Sequence, residues 1–137
     1  MADPRYKKLA EVLTGYSTAL KKGDTVLFDV TDTPEAFAVE LVRAARKRGA
    51  IPLVETRSAR VGREMLMNTS EQHAKTVRDI ELNRMKKCDA YVAVRGSHNA
   101  TENSDIPSNN LSMYSRTLRP VLNYRVNKTR WVVIRWP

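Results

Sequence analysis

Apolar positions along this chain follow two alternating spacings. Tyr6, Leu9, Val12, Leu13, Tyr16 and Leu20 recur at steps of three and four, which predicts a helix with one apolar stripe. Asp3-Pro4 opens it, an aspartate at the cap position followed by a proline whose missing N–H costs nothing there. Lys21-Lys22 and the turn Gly23-Asp24 close it. Residues 25–30 (TVLFDV) are then apolar except for Asp29 and predict the first strand. The same signals repeat. Thr33-Pro34-Glu35 has the form of a helix start, Phe37, Leu41, Val42 and Ala45 mark an inward face, and Gly49 stops the helix after Arg48. Residues 51–56 (IPLVET) predict the second strand. Pro52 cannot donate to a ladder, so this strand lies at an edge or Pro52 begins it.

A short helix is expected around 63–67, and a long one from Ser70-Glu71 to about Lys87 with Val77, Ile80 or Glu81, and Met85 inward. Residues 90–94 (AYVAV) form a short, β-branched apolar run between Cys-Asp and Gly-Ser, the pattern of a strand buried on both faces in the middle of a parallel sheet. A fourth helical region begins near Ser108, and Pro120 should kink or split it. Residues 131–136 (WVVIRW) are the last strand.

Strands separated by helices of this length predict an α/β fold, an open parallel sheet of about four strands with helices on both faces and right-handed crossovers. The expected strand order is second-first-third-fourth. That order sets the first and third strands side by side at a switch point, where ligands of open α/β sheets bind beyond the carboxyl ends of the strands. Asp29, Asp32, Arg95 and the loop 97–108 would line one crevice, and Arg95, Gly96, His98, Asn99 and Asp32 are the candidates to face a ligand there. Arg95 admits two readings. A guanidinium at the mouth of a central strand can grip a carboxylate or phosphate, or it can pair with Asp29, Asp32 or Asp105 and hold the loop.

Composition narrows the class. The 137 residues suit a single domain spanning 1–137, with an ordinary hydrophobic content of 42%. No apolar run approaches the roughly 18 residues that span a bilayer, and no apolar signal core follows the first charges. A single cysteine excludes an internal disulfide framework, so Cys88 reads as a buried, reduced residue and the protein as cytoplasmic. The net charge of +9 raises nucleic acid as a partner. Its distribution is uneven, because residues 106–137 hold Arg116, Arg119, Arg125, Lys128, Arg130 and Arg135 and no acid. Against a small basic nucleic-acid-binding module, the aromatic residues are not interleaved with bases on one sheet face.

Catalytic constellations fail one by one. Glycines at 15, 23, 49, 62 and 96 allow neither a dinucleotide fingerprint nor a P-loop. His73 and His98 stand 25 residues apart with no second ligand one helical turn away, so no metal site can be written. Glu102 and Asp105 share a loop, and Cys88 precedes a strand, where burial is commoner than reactivity. From its residues the chain supplies no catalytic group and no metal ligand.

The last strand carries a separate expectation. It ends on two tryptophans with no helix to cover it, which reads as the amino-terminal part of a longer protein, with Trp131, Arg135 and Trp136 as interface candidates. Trp131 and Trp136, five apart, point to opposite faces, and both faces are substantially apolar.

The order of these signals resembles one family. DPRYKKLAEVL…YS…LKKGDTVL, CDAYVAVRGSHNATENSDIP and RWVVIRWP are similar to the amino-terminal domain of the thermophilic aminopeptidases, metallo-enzymes of the aminopeptidase T, aminopeptidase S and PepS type. The resemblance implies a hydrolase that removes amino-terminal residues from peptides with two divalent ions (zinc, cobalt or manganese). It implies that the Glu, His, Tyr and Asp ligands lie in a carboxy-terminal domain, with no counterpart in these residues. It also implies that this domain helps enclose the active-site cavity of a dimer. Iron-dependent ring-cleaving dioxygenases look related in architecture and supply an alternative chemistry on the same scaffold.

Overall fold

A computed structural model describes residues 3–96 and 105–136 of the chain. Its elements run α1 (Pro4–Val12), β1 (Thr25–Thr31), α2 (Glu35–Lys47), β2 (Ile51–Arg57), α3 (Ala59–Met67), α4 (Glu71–Met85), β3 (Ala90–Arg95), α5 (Ser108–Thr117), α6 (Arg119–Lys128) and β4 (Arg130–Arg135). All pairings are parallel, as the alternation of strands and helices predicts, and the strand order is the expected β2-β1-β3-β4. The register sets Thr31 opposite Arg95 and Arg95 opposite Arg135.

Alternation along the two central strands builds a core on each face. Val26, Phe28 and Val30 of β1 join Val92 and Val94 of β3 against Leu13, Phe37 and Leu41 beneath α1 and α2. Leu27, Tyr91 and Ala93 face the other way, onto Met85 of α4 and Val121 of α6. β2 is an edge strand. The N–H of Ile51 bonds to the carbonyl of Asp24 on the β1 side, so the nitrogen of Pro52, one residue on, faces outward where no ladder bond is lost.

Capping chemistry explains several boundaries. The Asp3 carboxylate accepts from the Arg5 N–H at 2.9 Å, and Pro4 is the first helical residue. Gly49, at φ 78°, ends α2 and donates to the carbonyl of Arg46. Pro120 divides the last helical region into α5 and α6, where it occupies the first turn of α6.

Other expectations need correction. The first helix does not continue to Lys22: residues Leu13–Ser17 widen into a π-turn, and Ala19 takes a φ of 46°. The wider turn rotates the inward face by one residue, so Thr14 and Thr18 are buried while Tyr16 is 86% exposed. The Thr18 hydroxyl donates to the carbonyl of Leu13, five residues back, at 2.8 Å. Thr33 does not cap α2, since its hydroxyl is buried without a partner among the described residues and Pro34 holds the cap position. The short helix expected at 63–67 is the longer α3, started by Ser58 and the Asp32 carboxylate. Ile80, offered as inward, is exposed, and Glu81 lies nearer the sheet.

Candidate functional site

The switch point falls between the carboxyl ends of β1 and β3. Beyond β1 the chain turns at Asp32, whose φ of 52° is unusual for a residue with a side chain. Its N–H donates to the carbonyl of Arg57 at 3.0 Å, and its carboxylate accepts the N–H of Ala59 at 3.1 Å, which starts α3. Gly96 follows β3 and donates to the carbonyl of Thr31 at 2.7 Å. A Cβ on Gly96 would sit 2.8 Å from both the Cβ and the carbonyl oxygen of Asp32. Only glycine permits that approach. The fold therefore brings Asp32, Arg95 and Gly96 to one wall; His98 and Asn99, with Glu102, lie outside the described residues.

Arg95 does not make the ion pairs considered for it. Asp29 and Asp32 are engaged elsewhere, and Asp105 pairs with Arg63. Arg95 is exposed at the end of β3, in register with Arg135, and meets no carboxylate among the described residues.

Asp29 belongs to a polar network under the sheet that the sequence does not advertise. Its carboxylate accepts from the Arg57 Nε at 2.7 Å and from the Tyr91 hydroxyl at 2.8 Å. Arg84 bridges Glu55 (2.6 Å) and Glu81 (2.7 Å), and Arg57 reaches Glu81 at 3.7 Å. The guanidinium of Arg125 lies 3.9 Å from the centre of the Tyr91 ring. Burial and the Asp29 charge push the Tyr91 phenol well above its ordinary range, so it stays a hydrogen-bond donor. Arg57 loses hydration on burial, yet the carboxylates of Asp29, Glu81 and Glu55 hold its proton more firmly than usual. This network joins β1, β2, β3 and α4 and orients Arg57, whose carbonyl holds Asp32. The signals that could have found it were the lone acid within TVLFDV and the i,i+3 pair Glu81/Arg84.

Beside this wall, a groove of about 550 Å³ opens between the end of β2, α3 and Tyr114 of α5. Ser58, Arg63, Leu66 and Tyr114 line it, and burial raises the Tyr114 phenol. No nucleophile–base pair converges there among the described residues. Cys88 is buried on the far side, its thiol pushed up by burial and donating to the carbonyl of Arg84 at 3.4 Å, so it reads as a packing residue. His73 bonds through Nδ1 with the Thr69 hydroxyl at 2.7 Å.

At β4 the two faces differ. Val132, Ile134 and Trp136 pack into the core beneath α1 and α2, and Trp136 lies 4.6 Å from Phe37 and 5.3 Å from Tyr6 between ring centres. Trp131, 44% exposed, lies on the opposite face with Val133 and Arg135. Of the interface candidates, Trp136 is thus a packing residue of this chain, and Trp131 and Arg135 remain at the surface.

A family model described as thermophilic metalloprotease (M29) matches residues 2–137. The chain belongs to this metalloprotease family. Among solved structures, wild-type AmpT from Thermus thermophilus shares the fold with a TM-score of 0.74 at 19% identity. That match covers 98% of this chain and 36% of AmpT, so the chain spans about a third of that structure's length. A chain from Corynebacterium glutamicum assigned to the LacI family of transcription repressors overlaps at a TM-score of 0.41 and 12% identity, over 95% of this chain and 59% of its own. At that similarity it carries no argument and lends nothing to a nucleic-acid reading. Among curated proteins none matches significantly.

Metalloprotease chemistry needs several convergent ligands, and the described residues do not fit that need. No three His, Cys, Asp or Glu side chains among them converge where an ion could be held. Asp24, Asp29, Glu55 and Glu81 are committed to arginines. No helix among the described residues is long and apolar enough to cross a membrane.

Proposed function

We propose that this chain is the amino-terminal domain of a two-domain, metal-dependent aminopeptidase that removes amino-terminal residues from peptides. The observation that carries the reading is the family match over residues 2–137, combined with a fold shared over 98% of this chain and 36% of AmpT. On this reading two divalent ions, zinc, cobalt or manganese, are held by a carboxy-terminal domain. When bound they polarise the scissile carbonyl and activate water. The domain itself contributes shape and charge. Asp32, Arg95 and Gly96 form a wall of the substrate cavity, and Arg95 offers its unpaired guanidinium to a peptide carboxylate or carbonyl. Trp131 and Arg135 form an inner surface that meets the rest of the enzyme, which acts as a cytoplasmic dimer.

The test uses the 137-residue chain and the reading frame that encodes it. The chain alone, with zinc, cobalt or manganese added, should release nothing from aminoacyl reporter substrates. Residues encoded beyond 137 should supply Glu, His, Tyr and Asp, and the protein expressed with them should show chelator-sensitive release. Metal-dependent turnover by the 137-residue chain would overturn the placement of the ligands.

A further inference from the structure

The parallel register lines up the last residue of each strand in one row across the carboxyl end of the sheet. That row reads Arg57, Thr31, Arg95, Arg135. Register partners share a face, as do residues two apart, so these side chains lie on the side of α4 and α6, where Tyr91 packs. The next row inward on the same face reads Glu55, Asp29, Ala93, Val133. The two halves of the sheet end are therefore unlike. On β2 and β1 the charge is matched, since Arg57 bonds to Asp29 and reaches Glu81. On β3 and β4 the acids give way to Ala93 and Val133, and Arg95 and Arg135 are exposed with no ion pair among the described residues.

Neighbouring elements do not make up the deficit. α5 and α6 contain no acid. On α4, Glu81 is held by Arg84 and Arg57, and Asp79 by Arg78. α6 instead adds a third cation, Arg125, which lies over the Tyr91 ring and whose buried Nε meets no partner among the described residues. Adjacent strands stand about 4.8 Å apart, so two guanidiniums in register repel one another. An anion set between them removes that repulsion and is gripped by both forks. Val133, 42% exposed, and Trp131, 44% exposed, continue the same face of β4 away from Arg135. Together they make a strip about 13 Å long, cationic at one end and apolar along the rest.

We propose that Arg95 and Arg135 form one two-pronged site for the carboxy-terminal carboxylate of a short peptide, whose last, apolar side chain lies on Val133 and Trp131. The identity of the ligand rests on the aminopeptidase reading; the unmatched charge does not. The site adjoins the wall of Asp32 and Gly96, where the substrate cavity meets the inner surface of β4. It selects peptides short enough to end at this row, because a longer one presents a neutral amide there and loses the charged grip. A basic last residue would bring a further cation beside the arginines and is disfavoured.

NMR titration of the isotopically labelled 137-residue chain with N-acetyl-leucylphenylalanine tests it, without metal and with circular dichroism confirming that each variant is folded. The amide signals of Arg95, Val133 and Arg135 should shift together with a Kd of about 1 mM. The carboxy-terminal amide of the same dipeptide should bind about tenfold more weakly. The free acid should lose about tenfold on Arg95→Gln and on Arg135→Gln, each of which removes one charge-assisted contact. Inorganic phosphate, which has the charge but no apolar side chain, should bind about fivefold more weakly than the peptide. Arg116→Gln, exposed on α5 and outside this row, should stay within about twofold. No saturable shift by about 20 mM, or an amide that binds as well as the acid, overturns the proposal. So does an Arg116→Gln loss as large as the other two, which would reduce the site to diffuse charge. Phosphate binding as tightly as the peptide overturns the peptide assignment. None of these outcomes touches the aminopeptidase reading, whose test is metal-dependent release by the protein expressed with the residues encoded beyond 137.

Discussion

The Asp29 network makes the sharpest stability prediction, because it places one carboxylate between a buried phenol and a half-exposed guanidinium. Tyr91 is 1% exposed and donates to Asp29 at 2.8 Å, so removing the acceptor strands a buried hydroxyl. A hydrogen bond to a charged group in such a place contributes about 1.5–3 kcal/mol. The Arg57 ion pair adds less, since the Arg57 side chain is 42% exposed and water screens it to about 0.2–1 kcal/mol. Asp29→Ala should therefore destabilise the chain by about 2–4 kcal/mol. Tyr91→Phe keeps the Arg57 pair and should cost about 1–2 kcal/mol. The double variant should cost less than the two together by about 1–2 kcal/mol, because the shared bond can be lost only once. Equilibrium unfolding in urea, followed by circular dichroism, measures all three. Single effects that add to within about 0.5 kcal/mol would refute the bond as a stabilising contact.

Gly96→Ala should cost about 1–3 kcal/mol in the same assay, since the new methyl meets the backbone and Cβ of Asp32 at 2.8 Å; an unchanged midpoint would deny the close approach. The Tyr91 phenol is raised in the folded state above the ordinary value of about 10, so folded and unfolded chains bind the same proton below that pH and only the unfolded chain releases it just above. Stability should thus fall as pH rises past about 10, and the fall should be shallower in Tyr91→Phe; parallel curves for the two proteins would contradict this. Trp136→Ala should cost about 2–4 kcal/mol through its lost contacts with Phe37 and Tyr6, while Trp131→Ala should stay within about 1 kcal/mol, and the reverse order of unfolding midpoints would invert the assignment of faces.

By itself, the sequence determined the elements and their alternation along the chain. Helix starts and stops rest on local chemistry, as at Asp3-Pro4, Gly49 and Pro120, where one or two residues decide whether a backbone donor is satisfied or a φ is accessible. Alternation narrows the strand order to a few right-handed arrangements, and the sheet itself decides among them, in agreement with the order expected. Tertiary structure alone decided where the polar side chains went. Arg57 reaches Asp29 from 28 residues away and Tyr91 reaches it from 62, and no spacing rule links residues brought together by register between strands. Arg95 is the counterpart case, a residue with three acids offered by the sequence and none left for it in the fold, since Arg57, Arg63 and the start of α3 engage them first. The π-turn at Leu13–Ser17 follows the same logic. A periodic stripe carried Tyr16 inward on paper, but one extra residue in the turn gave its place to Thr18, because burying a threonine that can bond back to Leu13 completes the packing and satisfies its hydroxyl at once.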